Sequence, residues 1–221
     1  MRYPCLILDH DDTVVNSTDT IHYPAFVEIL KLIRPQLHYD LETYLLRNFD
    51  PGLLPFYHDE IGLSDQEIDE EWLFWKEYVR TRVPKAYPGI REILAHHREN
   101  GGIFAVVSHN ASDVIERDYR ENDLPLPDRI FGWDDLPEQR KPHPWPVEQV
   151  MRKFGFRPDQ VLVVDDLKPG YDMARAAGVR FAAALWAHDI PEINAFMEKN
   201  CDYSFRSVEA LKKFLESEEE T

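Results

Sequence analysis

The sequence predicts an α/β protein in which helices flank a parallel sheet and a helical insertion interrupts it. Three short aliphatic runs, at 5–8, 103–107 and 161–164, are apolar on both faces, which is typical of buried parallel strands. Segments with helical periodicity alternate with these runs. The long stretch 17–87 is helical in pattern and contains no convincing strand. This alternation favours a layered domain with right-handed crossovers.

Local start and stop signals predict the helices of the main domain. Pro88 stands at a first-turn position, and Gly101 ends the periodic segment that begins there. A fourth aliphatic run, 181–186, resembles another strand. Three further helical segments alternate with the strands: 112–121, 144–154 and 170–177.

The insertion shows helical periodicity with many aromatic residues. Ser64 and Glu67 have the spacing of a capping box at the start of a long helical segment. We therefore expect residues 1–16 and 88–221 to form the main domain, and 17–87 to form a helical cap.

Composition narrows the class of protein. The chain has 221 residues, of which 43% are hydrophobic and 30% charged, and its formal net charge is −16. This charge argues against binding to nucleic acid or to anionic membranes, because both need basic patches. The two cysteines indicate no disulfide framework, and no apolar run approaches the ~18 residues of a membrane span. A cytoplasmic location is expected.

Polar residues follow each of the three aliphatic runs. Asp9 and Asp11 follow the first, Ser108 the second, and Asp165 and Asp166 the third. Because ligands bind at the carboxyl ends of parallel strands, we expect these side chains to converge. Carboxylates, together with waters and phosphate oxygens, suit Mg²⁺. The alternative for each acid is a solvated loop or a helix cap.

A positive charge is expected beside these carboxylates. Lys141 lies in the proline-rich stretch 140–146, which is kept out of a helix and could present the ammonium to a phosphate. Ser108 and the amides after it, at the start of a helix, could donate hydrogen bonds to the same phosphate. His109 and Asn110 could touch phosphate or substrate, or could form an exposed turn.

Four segments in order carry a family resemblance. They are DHDDTVVNS from Asp9, VVSHN ending at Asn110, RKPHP around Lys141, and VVDDLKPGYDMARAAG ending at Gly178. With these segments, over nearly its whole length, the chain resembles the haloacid dehalogenase-superfamily phosphohydrolases of subfamily I. The resemblance is to the phosphoglycolate phosphatase and β-phosphoglucomutase-like group. It implies a Rossmann-like core with a helical cap inserted after the first strand.

The resemblance also implies roles for individual residues. Asp9 would be the nucleophile that forms an aspartyl-phosphate, and Asp11 the general acid and then the base that activates water. Mg²⁺ would be held by Asp9, the backbone carbonyl of Asp11 and Asp166, with Asp165 either a ligand or just beyond the ligands. The transferring phosphoryl group would be bound by residues of the middle two segments: Ser108, His109, Asn110 and Lys141.

Two residues depart from the family pattern. Asp12 stands where glycine is commonest, and Leu167 stands where a small polar residue is usual. Neither departure removes a catalytic group. In the cap, His22 and Arg47 could contact the leaving group of the substrate, although cap packing is the simpler role for both.

We expect a Mg²⁺-dependent phosphatase that acts on a small phosphorylated metabolite, as a monomer or weak homodimer without nucleic acid or membrane partners. The principal alternative is a sugar-phosphate mutase on the same scaffold. A dehalogenase is disfavoured because Asp11 would be unnecessary. A phosphonate hydrolase would need a cap lysine as nucleophile, and nothing distinguishes one. A non-catalytic binding module would not need all four segments.

Overall fold

The computed structural model describes residues 2–217, and the chain divides into two compact units. The main unit comprises the described residues up to Asn16 and those from Lys85 onwards, and the smaller unit is Ser17–Pro84. The sequence placed the second boundary after residue 87. Lys85–Ala86 belongs to the main unit because it pairs antiparallel with Val15–Asn16. Residues 1 and 218–221 of the predicted main domain lie outside the described part.

The main unit is built on a parallel sheet, which confirms the predicted fold class. Within residues 2–217 the sheet has six strands in the order β5-β4-β1-β6-β7-β8, and every neighbouring pair is parallel. The strands are β1 (Cys5–Leu8), β2 (Val15–Asn16), β3 (Lys85–Ala86), β4 (Ile103–Val107), β5 (Arg129–Phe131), β6 (Val161–Asp165), β7 (Arg180–Ala184) and β8 (Tyr203–Phe205).

The smaller unit is built of helices, and in the main unit a separate set of helices packs on the sheet of that unit. Those of the smaller unit are α1 (Tyr23–Ile33), α2 (Leu41–Phe49), the short α3 (Leu53–Pro55) and α4 (Asp65–Val79), with π-helical turns at Thr18–His22 and Phe56–Ile61. Those of the main unit are α5 (Ile90–Glu99), α6 (Ser112–Glu121), α7 (Trp145–Phe154), α8 (Lys168–Ala177), α9 (Pro191–Asn200) and α10 (Val208–Glu216). Across the described residues, no helix is both long and apolar enough to cross a membrane.

The three aliphatic runs form the centre of the sheet, as predicted. Leu8 at the end of β1 is in register with Val106 of β4 and with Val164 of β6. The residues that follow these three strands therefore meet at one edge. Strands β5 and β8 are not evident in the sequence, because three-residue edge strands lack a continuous apolar run.

An aromatic core holds the smaller unit together. Phe26 lies 4.7 Å from Tyr44 and 5.8 Å from Phe56 between ring centroids, and all three rings are buried. The predicted capping box is confirmed, because the Ser64 hydroxyl accepts from the Glu67 amide and the Glu67 carboxylate accepts from the Ser64 amide. Helix α4 begins directly after Ser64 and ends at Val79.

Candidate active site

Asp9 lies at the centre of the sheet edge, directly after β1. Its amide donates to the carbonyl of Val164 at 2.9 Å, which fixes the backbone beside the end of β6. Its side chain is 5% exposed, and Oδ1 lies 2.7 Å from Nζ of Lys141. A carboxylate this deeply buried needs a positive partner, and Lys141 supplies one.

Lys141 joins two of the strand-end carboxylates. Nζ donates to Oδ1 of Asp9 and to Oδ2 of Asp165, each at 2.7 Å, and the residue is 6% exposed. Burial alone would lower the pKa of the ammonium, but the carboxylates of Asp165 and Asp9 outweigh burial and hold this pKa above its ordinary value. Lys141 is therefore a permanent buried cation beside Asp9.

One lysine does not neutralise the carboxylates around it. Burial raises the pKa of Asp9 to about 7, Lys141 lowers it only in part, and the charges of Asp165 and Asp11 raise it further. A second cation at this position would restore an ordinary carboxylate pKa. The electrostatics of the site therefore favour binding of a positive ion.

Asp165 and Asp166 end β6 and start the turn into α8. Oδ1 of Asp165 accepts a hydrogen bond from the backbone amide of Leu167 at 2.8 Å. This contact uses the backbone of residue 167 and not its side chain. A Cβ at Gly170 would lie 2.1 Å from Oδ2 of Asp165. The glycine of the fourth segment is therefore required by the close approach of the Asp165 carboxylate to the helix.

The carboxylates form a candidate metal centre. Oxygens of Asp9, Asp165 and Asp166 lie within 4.8 Å of one another, and all three residues are buried. Oδ1 of Asp166 is buried and has no hydrogen-bond partner among residues 2–217. Burial, followed by the charges of Asp9 and Asp165, raises the pKa of Asp166 well above its ordinary value. An unsatisfied buried oxygen in an all-oxygen donor set fits a hard divalent cation such as Mg²⁺.

The Asp11 carboxylate contacts the loop after β4. Oδ2 of Asp11 accepts from the Ser108 hydroxyl at 3.3 Å and from Nδ2 of Asn110 at 3.1 Å. The Ser108 hydroxyl in turn accepts from the Asn110 amide at 3.1 Å. Asp11 is only half-buried, and these donors hold it near Ser108, where a proton-transferring group could meet a bound phosphate ester.

His109 contacts the backbone of the lysine loop. Its Nε2 lies 2.9 Å from the carbonyl oxygen of Lys141, and its ring meets Trp133 edge-on at 5.6 Å. Burial, followed by the positive charge of Lys141, lowers the pKa of His109 to about 4. The neutral imidazole therefore donates from Nε2 to the carbonyl, a contact that orients Lys141.

The two cap residues singled out from the sequence have partners within the smaller unit. Nδ1 of His22 accepts from Nε1 of Trp75 at 3.0 Å, and the two rings stack. Arg47 forms an ion pair with Glu60. Packing within the smaller unit is enough to explain these contacts. A role for either residue in substrate binding stays a prediction.

One pair at the site was missed by the sequence analysis. Asp12, 1% exposed, has φ of +58°, which explains why glycine is common at its position. Its Oδ2 lies 2.7 Å from Nε2 of His188, in the loop after β7. No spacing rule links positions 12 and 188, because only the sheet brings them together.

Known proteins resemble this chain over most of its length. The family model of the haloacid dehalogenase-like hydrolases matches residues 6–184. Phosphoglycolate phosphatase of Haemophilus influenzae is 27% identical over 97% of this chain and 99% of its own. Pyrophosphatase PpaX of Bacillus cereus is 24% identical over 84% of this chain and 85% of its own.

Solved structures share the fold. A predicted phosphoglycolate phosphatase from Haemophilus somnus superposes with a TM-score of 0.72 at 22% identity, covering 98% of this chain and 99% of its own. CbbY from Rhodobacter sphaeroides, solved in complex with phosphate, gives a TM-score of 0.66 at 20% identity over 95% and 96% of the two chains. The family match extends from the strand before Asp9 to the end of β7, and the chain therefore belongs to the haloacid dehalogenase-like hydrolases.

Proposed function

We propose that this hydrolase is a Mg²⁺-dependent phosphatase that acts on a small phosphorylated metabolite through an aspartyl-phosphate at Asp9. The observation that carries the proposal is the buried Asp9 carboxylate, placed 2.7 Å from Lys141 and beside Asp165 and Asp166. The phosphatase names of the full-length relatives support the same reaction class.

In the first step, a carboxylate oxygen of Asp9 attacks phosphorus as the bond from phosphorus to the ester oxygen breaks. Asp11, held near Ser108, gives its proton to the departing ester oxygen. Lys141 and the Ser108 hydroxyl neutralise and orient the phosphoryl oxygens. Positioning and charge neutralisation provide most of the rate enhancement in phosphoryl transfer.

In the second step, water attacks phosphorus of the aspartyl-phosphate. Asp11, now ionised, takes a proton from this water, and the bond from phosphorus to the Asp9 oxygen breaks. Inorganic phosphate leaves and Asp9 returns as a carboxylate. Asn110 donates to Asp11 at 3.1 Å and so stabilises its ionised form between the steps.

The metal site would use the residues around Asp9. Asp9, the backbone carbonyl of Asp11 and Asp166 would hold Mg²⁺, with Asp165 beside them. When bound, the ion supplies positive charge for the phosphoryl oxygens in the transition state.

Phosphate release from a panel of phosphorylated metabolites tests the proposal. The panel begins with 2-phosphoglycolate and pyrophosphate, because the relatives are named for these activities. We expect turnover with Mg²⁺, none with chelator, and none in Asp9→Asn, which is nearly isosteric and lacks the nucleophile. Full turnover by Asp9→Asn, or turnover unaffected by chelator, would overturn the mechanism.

A matched pair of variants sharpens this test. Asp166→Asn removes a proposed ligand, and activity at limiting Mg²⁺ is expected to fall by about 10-fold or more, with partial recovery at high Mg²⁺. Asp159→Asn alters an exposed aspartate in the turn before β6 and is expected to leave activity unchanged. Equal loss in both variants would show that the effect is not specific to the site.

A further inference from the structure

A hydrogen bond joins the loop that carries Asp9 and Asp11 to the loop that follows β7. Asp12 follows these residues directly, and its carboxylate lies 2.7 Å from Nε2 of His188. His188 comes from the loop after β7, and β7 is separated from β1 in the sheet by β6. The contact therefore joins two loops that are not linked by the hydrogen bonds of the sheet or of the turn after β1.

Asp12 is held in an unusual backbone state. Its φ of +58° lies in the left-handed region, which glycine adopts freely and most other residues adopt at a cost. The amide of Asp12 donates to the carbonyl of Val15 at 2.7 Å and closes the turn. Aspartate is one of the few residues other than glycine that adopt this state, and here its carboxylate reaches His188.

The turn that carries this carboxylate also carries residues of the candidate metal centre. Asp12 directly follows Asp11, whose backbone carbonyl is a proposed ligand, and stands three positions after Asp9. Asp12 is 1% exposed, so its carboxylate requires a donor, and an ionised carboxylate can only accept. His188 therefore donates from Nε2, and its side chain is 18% exposed, whereas that of Asp12 is 1% exposed.

We propose that His188 is a positioning residue, which fixes the turn bearing Asp9 and Asp11 through Asp12 and so sets the affinity of the site for its divalent cation. The inference rests on the proposed function, because it takes the carboxylate centre to be the cation site. Partners that orient ligand-bearing groups from outside the ligand set commonly change metal affinity by about 10–100-fold.

Binding of Mn²⁺ alone, followed by the electron paramagnetic resonance signal of the free ion, tests the inference without turnover. Mn²⁺ takes the same hard oxygen ligands as Mg²⁺. His188→Ala and Asp12→Gly each remove the hydrogen bond, and we expect either to weaken Mn²⁺ binding by about 10-fold or more. The double variant is expected to bind like the single variants, because both remove one interaction.

Asp12→Asn separates positioning from charge. Asparagine tolerates the left-handed backbone and can accept from His188, but it carries no charge. Positioning predicts Mn²⁺ affinity within about twofold of the wild type, with His188→Gln recovering part of the loss. A loss in Asp12→Asn as large as in Asp12→Gly overturns the inference, as does wild-type affinity in His188→Ala.

Two controls keep the outcomes distinct. His96→Ala replaces an exposed histidine of α5 and should bind Mn²⁺ like the wild type. Thermal unfolding verifies the fold, and Asp12→Gly relieves the left-handed backbone, so a loss of affinity in that variant does not require a loss of stability. Absence of Mn²⁺ binding in the wild type, or unchanged binding in Asp166→Asn, would overturn the proposed cofactor together with this inference.

Discussion

The interior of the main unit contains charge at the sheet edge, whereas the interior of the smaller unit is aromatic. Asp9, Asp165, Asp166 and Lys141 are all buried there. In the smaller unit the buried cluster is made of rings and aliphatic side chains, including Phe26 and Phe56. Its ion pairs, such as Arg47 with Glu60, remain partly exposed.

This difference separates two kinds of constraint. Buried charges are unfavourable unless they are paired, so the main unit keeps its carboxylates at the cost of stability that apolar residues would provide. The phosphoryl transfer that we propose would account for that cost, because it needs charge held in place and away from bulk water. The smaller unit shows the ordinary arrangement of a packed helical domain, with apolar groups inside and charges at the surface.

Replacing Lys141 in the main unit and Arg47 in the smaller unit should give the largest contrast in stability. Lys141→Ala leaves Asp9 and Asp165 buried without their partner, so we expect destabilisation of about 3–5 kcal/mol near neutral pH. Phosphate release should fall by roughly 10²–10³-fold or more. Arg47→Ala breaks an exposed pair and should cost at most about 1 kcal/mol. Urea unfolding of both variants measures the difference, and equal costs would contradict the comparison.

Truncating an aromatic ring should affect the smaller unit through packing. Phe56 is fully buried, and Phe56→Ala should destabilise the protein by about 3–5 kcal/mol through lost burial and the resulting cavity. Leu32→Ala on α1 is the control, because Leu32 is 72% exposed and should change stability by less than about 0.5 kcal/mol. A similar cost for both would show that the cluster is not the core of that unit.

One carboxylate of the smaller unit is an exception to its pattern. Burial raises the pKa of Glu71 to about 7, against the hydrogen bond from the Tyr57 hydroxyl at 3.2 Å and the effect of His22. Between its ordinary pKa and about 7, the folded state binds more protons at Glu71 than the unfolded state. Stability should therefore fall as pH rises through this window.

Glu71→Gln tests that exception, because glutamine keeps an acceptor for Tyr57 and cannot ionise. As pH rises from about 4.5 to about 7.5, we expect the free energy of unfolding of the variant to increase relative to that of the wild type by on the order of 1–3 kcal/mol. Thermal or urea unfolding across this range, with both proteins in the same buffers, gives the difference. A constant difference across the range would show that Glu71 titrates normally.

The smallest expected effect lies at the start of α4. Ser64→Ala removes the hydroxyl that accepts from the Glu67 amide and should cost about 1 kcal/mol. Ser64→Asp retains an acceptor at the same cap position and should recover most of the loss. Urea unfolding measures both, and a cost for Ser64→Asp equal to that of Ser64→Ala would show that the cap contributes little.

The sequence predicted the centre of the fold and which strand-end side chains lie close together there. Strands β1, β4 and β6 are continuous apolar runs, so the convergence of Asp9, Ser108 and Asp165 follows from strand ends meeting at one edge. The proximity of Lys141 to Asp9 was expected from the resemblance and is observed at 2.7 Å. These features depend on short segments whose pattern is local.

Other features depend on tertiary structure and could not be predicted. The Asp12–His188 contact joins loops that are 176 positions apart. The His109 imidazole contacts the backbone carbonyl of Lys141, and a backbone acceptor carries no sequence signal. In the smaller unit, the partners of His22 and Arg47 are set by how the helices pack, and helical periodicity identifies a buried face without identifying such pairs.

The most direct test of the central claim is to trap the covalent intermediate on Asp9. A turnover reaction with Mg²⁺ and an active substrate is quenched in denaturant and treated with borohydride, which reduces an aspartyl-phosphate to homoserine. Mass spectrometry of the peptide that contains residues 3–15 then locates the modified position. We predict homoserine at position 9, dependent on substrate and Mg²⁺, and absent in Asp9→Asn. Unmodified Asp9 during active turnover, or homoserine at position 11, would contradict the account.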